Sequence, residues 1–319
     1  MKKSKLLPII GIALFLYIIS RVNVGKVIEN FSRIDVFWFF VALGILVFQH
    51  IVKAVRWKIL IDTYGIKYPL MDSLKGWLIG YSFSLITPGK IGDFARAYCL
   101  KDKMETGKAI TTVMADRVID IFVLFIMATI GISIFVNTYV KNDFLLYGTY
   151  MLFALFVSAI FIFSKKRIAT AMLRPFHSKL TPKKYKSRAE KLYNDFYSGL
   201  DVLFKKKKAI FLTSIITLAF WFIAILGIYT IAISMGIASA SYTFLLIIMP
   251  IIMIILALPI SFSGVGTRDA TLIFFFSYIS LSAEMAISFS LMILIFDYIL
   301  AVPGFILLFR HPLKIGKDK

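Results

Sequence analysis

The chain has 319 residues, of which 60% are hydrophobic and 16% aromatic, and its mean hydropathy is +0.86. A water-soluble domain with a single core is far less apolar, so the composition excludes that class. Several apolar runs approach the ~20 residues that cross a ~30 Å hydrocarbon layer as a helix, whereas alternating strand patterns are absent. The predicted fold class is an all-α polytopic membrane protein that forms one membrane domain over 1–319.

The formal net charge of +20 would suggest nucleic acid as the partner of a soluble protein. Here the basic residues concentrate between apolar segments and at both chain ends, the pattern that marks cytoplasmic segments. We therefore expect anionic lipid headgroups as partners and no nucleic acid. The single Cys99 excludes an internal disulfide, and the three histidines are far apart, so no metal site or cofactor is expected.

In chain order, the sequence predicts six spanning helices. They cover residues 6–20, 36–61, 110–136, 144–163, 210–236 and 285–309. The first span follows three lysines as a signal peptide would, but no small-residue cleavage site follows it, so we expect a retained helix. Two further apolar regions, 71–101 and 242–281, are interrupted by helix breakers.

The first interrupted region holds the stretch "SLITPGKIGDFARAY". Its arms, 74–87 and 90–101, are too short to span the membrane at ~1.5 Å per residue, so they predict a re-entrant helical hairpin. The second region, 244–262 and 268–280, has a longer first arm that Pro250 and Pro259 interrupt. We interpret it as a second re-entrant or broken hairpin.

A strongly basic loop, 164–208, separates the fourth and fifth spans and should be cytoplasmic. Counting spans from it places both termini inside. We expect the protein to lie in the plasma membrane. Within the loop one apolar stripe predicts an amphipathic helix at the membrane surface. The stripe consists of Leu192, Phe196, Leu200 and Leu203.

The order of span, interrupted region and span occurs twice, in units of about 36–136 and 210–309. An offset of about 175 residues brings Gly89 onto Gly264 and, within two residues, Asp120 onto Asp297. The topology count makes the second unit inverted relative to the first. Many secondary transporters are inverted repeats with a substrate site where broken helices meet near mid-membrane.

The turns in both interrupted regions expose helix amino ends, which can receive an anionic headgroup. The turn residues are Pro88, Gly89, Gly92, Gly264 and Gly266. Lys90 and Arg96 after the first break, and Arg268 after the second, would strengthen a phosphate site. Arg56 either contacts the headgroup or marks the end of its span.

Acids within apolar sequence are candidates for pairing or for proton coupling. They are Asp93, Asp116, Asp120, Asp269 and Asp297. Asp93 can pair with Arg96, which would either close the hairpin or leave donors free for phosphate. Asp116, Arg117 and Asp120 are expected to anchor the first hairpin. Asp297 has Arg268 as its expected partner.

Four motifs together resemble a known family. They are "TPGKIGDFARAY", "ADRVIDIFVL", the "RW" at Arg56 and Trp57, and "PISFSGVGTRDATL". They are similar to the signature stretches of the lysylphosphatidylglycerol synthase transmembrane-domain family, also called flippase-like proteins. The resemblance implies lipid translocation. Because the chain has no counterpart of that family's soluble aminoacyl-transferase domain, it does not imply synthesis of aminoacyl lipid.

The leading prediction is a flippase, not an enzyme, for an anionic phospholipid or a polyprenyl-phosphate-linked glycan. One alternative is a membrane-embedded transferase that uses a lipid-phosphate donor, with Asp93 or Asp116 as base. A second is an accessory subunit without transport activity that anchors a soluble partner through the basic loop. Whether the chain forms a homo-oligomer is left open.

Overall fold

The computed structural model describes residues 7–164, 186–258, 261 and 263–310. The helices of the first half are α1 Leu7–Arg21, α2 Val24–Ser32, α3 Val36–Asp62, α4 Leu70–Leu85, a 3₁₀ segment Pro88–Leu100, α5 Thr106–Phe135 with a π-helical turn Val136–Val140, and α6 Asp143–Ser164. Those of the second half are α7 Lys186–Lys205, α8 Lys207–Ser234, α9 Tyr242–Ala257, α10 Thr267–Ser277 and α11 Ala283–Arg310. No strand occurs in this described part, which confirms the all-α fold class.

Among the described residues, five helices are long and apolar enough to cross a membrane: α3, α5, α6, α8 and α11. They coincide with five of the six predicted spans, so the chain is a multi-pass membrane protein. The first predicted span, 6–20, coincides with α1, whose 15 residues extend about 22 Å, less than the ~30 Å of the hydrocarbon layer. A sixth span therefore stays a prediction.

Local side chains determine where several helices begin. The Asp35 carboxylate accepts hydrogen bonds from the backbone N–H groups of Phe37 and Trp38 at the start of α3, and the Ser241 hydroxyl caps α9 in the same way. Such caps satisfy backbone donors that a helix leaves unpaired. They fix the start of the first unit at α3 and the start of the second interrupted region at α9.

Both interrupted regions contain short helices. Helix α4 has 16 residues and α9 has 16, about 24 Å each, and α10 has only 11. After α4 the chain forms a 3₁₀ segment instead of the α-helical arm expected from residue 90. Gly89 and Lys90 have φ of 62° and 56°, a left-handed backbone that interrupts a right-handed helix.

Gly92 lets this turn fold back onto α4. A Cβ atom at Gly92 would lie 2.2 Å from the Phe83 carbonyl oxygen, so only glycine permits the approach. The Gly92 N–H donates to the Thr87 hydroxyl at 2.7 Å, and the Thr87 hydroxyl donates to the Phe83 carbonyl at 2.9 Å. The first break is thus a compact turn in which the Thr87 hydroxyl pairs backbone groups on both sides, as irregular backbone within a membrane requires.

Each interrupted region packs on the closing helix of the other unit. Helix α4 packs on α11, α9 packs on α5, and the opening helices α3 and α8 pack on each other. Glycines allow the close approach of α9 to α5 and of α4 to α11 where these helices cross. A Cβ at Gly131 would lie 2.3 Å from the Ile247 carbonyl oxygen, and one at Gly304 would lie 2.2 Å from the Leu78 carbonyl oxygen. This reciprocal arrangement agrees with two related units, while their opposite orientation stays a prediction.

The two units differ in what they bury. The main apolar core lies in the second unit and includes Ile248, Phe276 and Phe289. The first unit contains most of the charged side chains that are buried within the described residues. Apolar packing therefore holds the second unit together, and ion pairs cross-link the first.

The amphipathic helix predicted in the basic loop is present as α7 and packs on α5. The Thr111 hydroxyl donates to the Phe196 carbonyl at 3.0 Å, and the Tyr64 hydroxyl donates to the Gly199 carbonyl at 2.9 Å. Residues 165–185 of the predicted loop 164–208 lie outside the described residues.

Candidate functional site

A buried charge cluster joins the first break to three long helices. Its members are Lys53, Arg56, Asp93, Arg96, Asp116, Arg117 and Asp120. Six of the seven are buried, and Arg117 is half-buried. Four cations meet three carboxylates, so each carboxylate contacts at least one cation, as a charge removed from water requires.

Arg96 holds the 3₁₀ segment against α5. Its Nη2 atom lies 2.9 Å from an Asp93 oxygen and 2.7 Å from an Asp116 oxygen. The guanidinium carbon lies 4.9 Å and 4.8 Å from the ring centroids of Trp57 and Trp77, and the side chain is fully buried. These contacts favour the hairpin-closing alternative for Arg96, since no donor of this side chain is exposed to a headgroup.

Arg56 connects α3 to α5 and α8. Its Nε atom lies 2.6 Å from Asp116 and its Nη1 atom 3.0 Å from Asp120, and Nη1 also donates to the Thr217 hydroxyl at 2.8 Å. Lys53, one turn earlier on α3, lies 2.7 Å from Asp120. Arg56 is thus an internal cross-link and not an exposed mark of the span's end.

Arg117 completes the anchoring of the hairpin. Its Nε atom lies 2.6 Å from the same Asp93 oxygen that contacts Arg96. Asp93, on the 3₁₀ segment, is therefore fixed by a cation of its own segment and by one of α5. The geometry agrees with the anchoring role expected for Asp116, Arg117 and Asp120.

A central cavity lies where the two breaks meet. It has a volume of about 150 Å³. Thr87, Gly89 and Lys90 of the first break line it, together with Ser263 and Gly264 of the second. The Ser263 hydroxyl donates to the Leu85 carbonyl at 2.6 Å. Both breaks therefore contribute polar groups to one cavity, while its role as a headgroup site stays a prediction.

The cavity contains two cations and one acid. Lys90, Arg268 and Asp297 all line it. The Nη1 atom of Arg268 lies 3.5 Å from the Asp297 carboxylate, whose side chain is 32% exposed, compared with 2% for Arg268. Lys90 is exposed to the cavity and forms no ion pair within the described part of the chain. The cavity thus offers an ammonium, a guanidinium and an accessible carboxylate.

Neighbouring side chains orient the Arg268 guanidinium and the Asp297 carboxylate. The Arg268 Nε–H donates to the Ser290 hydroxyl at 2.8 Å, and the Tyr81 hydroxyl donates to Asp297 at 3.0 Å. The backbone N–H of Arg268 donates to the Gly264 carbonyl at 2.7 Å. Arg268 is therefore fixed in direction, while Asp297 is the more accessible partner.

Asp269 has a local role in the second break. Its carboxylate accepts a hydrogen bond from the Gly266 N–H at 2.7 Å, which caps the start of α10. Gly266 has φ of 82°, in the left-handed region that favours glycine. Residues 259, 260 and 262 of the second motif lie outside the described residues.

The charge cluster and the central cavity adjoin through Trp221. This side chain lines the cavity, and its indole N–H donates to Asp120 at 3.2 Å. The structure therefore separates the predicted site residues into two neighbouring groups. Lys90, Arg268 and Asp297 line the cavity. Arg56, Arg96 and their acids belong to the charge cluster and do not line it.

Sequence reasoning missed several members of both groups. Lys53, Tyr81, Trp221 and Ser263 were not assigned to the site. The spacing of Lys53 and Arg56, three residues apart on one helix face, was a signal that both point to the same acids. Nothing local marks Tyr81, Trp221 or Ser263, because their partners are distant in the chain. Over the described residues no group of His, Cys, Asp and Glu could hold a metal ion.

The match to a known family covers nearly the whole chain. The family model described as the lysylphosphatidylglycerol synthase TM region matches residues 6–304. The chain belongs to this family. The resemblance stated from the four motifs is thereby confirmed.

A curated relative agrees with this membership. A UPF0104 membrane protein of Methanocaldococcus jannaschii is 26% identical over 170 residues, which cover 51% of this chain and 50% of the relative. The chain thus matches that relative over about half the relative's length. No solved structure matches the chain.

Proposed function

We propose that this protein moves an anionic lipid between the two leaflets of the membrane, with the phosphate of the headgroup in the central cavity. The substrate class is a phospholipid or a polyprenyl-phosphate-linked glycan. One observation carries the proposal: two cations from different breaks, Lys90 and Arg268, line one cavity together with an accessible acid. Membership of the family supports lipid handling by this membrane domain.

The chemistry of the cavity suits a phosphate. A guanidinium with a fixed direction binds phosphate oxygens through two N–H groups, and an ammonium adds a mobile point charge. The side chains of Ser263 and Thr87 add hydroxyl groups to the lining. The apolar tail of the lipid would remain in the bilayer, outside this cavity of about 150 Å³.

Asp297 acts as the resident counter-ion of the empty cavity. An unpaired charge inside a membrane costs at least ~2.5 kcal/mol, so Arg268 needs an anion in every state. Asp297 supplies that anion when no lipid is bound, and a lipid phosphate takes its place during transport. Exchange between the two anions lets the headgroup enter and leave without leaving Arg268 unpaired.

Arg56 and Arg96 support transport indirectly. Their carboxylate partners and indole neighbours hold the first break at the cavity wall. Alternating access would then proceed by a movement of one unit against the other around the cavity, as in transporters built from repeats. We further place the protein in the plasma membrane with both termini cytoplasmic, in accord with the distribution of basic residues.

Translocation in proteoliposomes tests the proposal. Fluorescent phosphatidylglycerol is reconstituted with wild type, Lys90→Ala or Arg268→Ala, and the fraction that a membrane-impermeant quencher reaches is followed in time. We expect wild type to exchange the lipid between leaflets and both variants to be at least tenfold slower. Lys103→Gln, which changes an exposed lysine outside the cavity, is the matched control and should transport like wild type.

Two results would contradict the proposal. Folded Lys90→Ala and Arg268→Ala proteins that transport at the wild-type rate would remove the cavity assignment. Formation of a new lipid product by the detergent-solubilised protein, where leaflets do not exist, would instead favour the transferase alternative.

A further inference from the structure

We propose that a second site, separate from the central cavity, binds an anionic phospholipid with its phosphate at the junction of α7 and α8 and one acyl chain in an apolar groove beneath α7. The lipid is a resident of the leaflet that meets this junction and not the transported substrate. This inference does not depend on the proposed function.

The groove lies among five helices, since Leu60 of α3 also lines it. It has a volume of about 520 Å³, and its lining is almost entirely apolar. The lining includes Ala115 and Phe122 of α5, Val157 of α6, Tyr197 and Phe204 of α7, and Ile210 of α8. None of these residues lines the central cavity, so the two spaces are distinct.

The groove has the depth of an acyl chain. Its lining on α5 runs from Met114 to Phe122, about 12 Å along the helix at ~1.5 Å per residue. One leaflet contributes half of the ~30 Å hydrocarbon layer. An acyl chain along the membrane normal would therefore be covered by protein over most of its leaflet.

Helix α6 leaves one side of the groove accessible to lipid. It packs on α5 and on the π-helical turn that follows α5. None of the residues in the most apolar stretch of this helix is buried. The groove that this exposed helix helps to line is partly open, so a chain can enter it from the bilayer.

Residues that line the groove lie on both sides of four consecutive lysines in the sequence. Leu203 and Phe204 line it before the run, and Ile210 lines it after the run. Between them lie lysines 205–208, which are all exposed, and none of them forms an ion pair within the described part of the chain. The apolar groove thus ends at four ammonium groups. An uncharged occupant would leave this charge without a partner, whereas an anionic phospholipid matches both parts.

The amino end of α8 adds to the attraction. This helix begins at Lys207, and no side chain caps its first turn. Unpaired N–H groups and the partial positive charge of a helix amino end favour a phosphate. Charge, backbone donors and an apolar groove therefore converge on one place and together select a lipid with a negatively charged headgroup.

Native mass spectrometry of the full chain tests the site. Delipidated protein is titrated with phosphatidylglycerol or phosphatidylcholine of equal chain length in the Arg268→Ala background, which removes the cavity guanidinium. We expect one tightly bound phosphatidylglycerol per chain, with at least fivefold weaker binding of phosphatidylcholine. Retention of this lipid in the Arg268→Ala protein distinguishes the groove from the central cavity.

Two matched pairs of variants locate the lipid. Lys206→Gln with Lys207→Gln should weaken phosphatidylglycerol binding at least fivefold, whereas the exposed pair Lys67→Gln with Lys103→Gln should leave it unchanged. Ala115→Phe should fill the groove and abolish tight binding, whereas Ala154→Phe, at an exposed position of α6 outside the lining, should retain it.

Equal binding of the two lipids would overturn the charge selection. Unchanged binding to a folded Ala115→Phe protein would overturn the groove. Loss of all tight binding in the Arg268→Ala background alone would assign the lipid to the central cavity and likewise overturn the proposal. The failure of transport in the proteoliposome assay, by contrast, would leave this site unaffected.

Discussion

Tyr81 donates a hydrogen bond of 3.0 Å to Asp297, and this contact joins the first interrupted region to the last helix. The other carboxylate oxygen of Asp297 lies 3.5 Å from Arg268. Asp297 therefore contacts a residue of each interrupted region, and its charge state affects both. A change at this one carboxylate should therefore lower the stability of the lipid-free protein and increase its stabilisation by bound lipid.

We expect Asp297→Asn to destabilise the lipid-free protein and to increase the rise in its thermal midpoint when anionic lipid is added. The amide keeps the shape of the side chain but leaves Arg268 without a counter-ion, at a cost of at least ~2.5 kcal/mol in a membrane. A lipid phosphate would then restore that counter-ion without competition. The thermal midpoint should fall without lipid and rise more than that of wild type when short-chain phosphatidylglycerol is added.

The double variant Arg268→Gln with Asp297→Asn is the control for this prediction. It removes both charges, so the midpoint without lipid should recover while the response to lipid is lost. Equal lipid-induced shifts in wild type and Asp297→Asn would show that Asp297 does not occupy the phosphate position.

We predict that Asp116→Asn is among the most destabilising single changes in the first unit. It leaves Arg56 and Arg96 with one partner fewer in a fully buried environment, and breaking a buried ion pair from one side costs about 3–5 kcal/mol. Unfolding in mixed micelles measures the loss. Asp102→Asn, at an exposed position, should stay within about 0.5 kcal/mol of wild type. A loss below about 1 kcal/mol for Asp116→Asn would contradict the anchoring role.

Arg96→Lys should not preserve the first break, although it keeps the charge. The planar guanidinium contacts two carboxylates while it lies between two indole rings, and a lysine ammonium cannot make both sets of contacts. We expect a lower thermal midpoint and altered fluorescence from Trp57 and Trp77. Arg310→Lys, at the exposed end of α11, serves as the comparison. Unchanged fluorescence and stability in Arg96→Lys would refute the stacking argument.

The two crossing glycines should be equally intolerant of a methyl group. Gly131→Ala and Gly304→Ala each place a Cβ within 2.3 Å of a backbone carbonyl oxygen, so the helices must separate, and overpacking costs about 1–3 kcal/mol. Gly44→Ala and Gly148→Ala are controls, since nothing lies within 4 Å of an added Cβ at either position. These two should be neutral or stabilising, because alanine favours a helix. Equal behaviour of all four variants would argue against the reciprocal packing.

Hydropathy and charge were sufficient to predict most of the architecture. Runs of apolar residues predict spanning helices because every backbone group must be paired within the membrane. The sequence placed five spans and both interruptions in this way. It could not predict the 3₁₀ form of Pro88–Leu100, because the left-handed backbone at Lys90 depends on the close approach of Gly92 to α4.

The site was only partly predictable, for a physical reason. The residue types at both breaks indicated a phosphate site, but the sequence could not show which arginines are exposed to it. Arg96 and Arg268 occupy similar places after similar turns, yet one is enclosed by two indole rings while the other lines the cavity. That difference depends on neighbours such as Trp57 and Ser290, which lie on other helices.

The reciprocal packing has a consequence for biosynthesis. Tyr81 and Asp297 are separated by 216 positions, and α4 packs on α11. The first unit therefore enters the membrane while the partner surface for its interrupted region has not yet been synthesised. Its polar groups must be sheltered by the insertion machinery or by water until α11 arrives. The packing of the first interrupted region is thus completed only when α11 has been inserted.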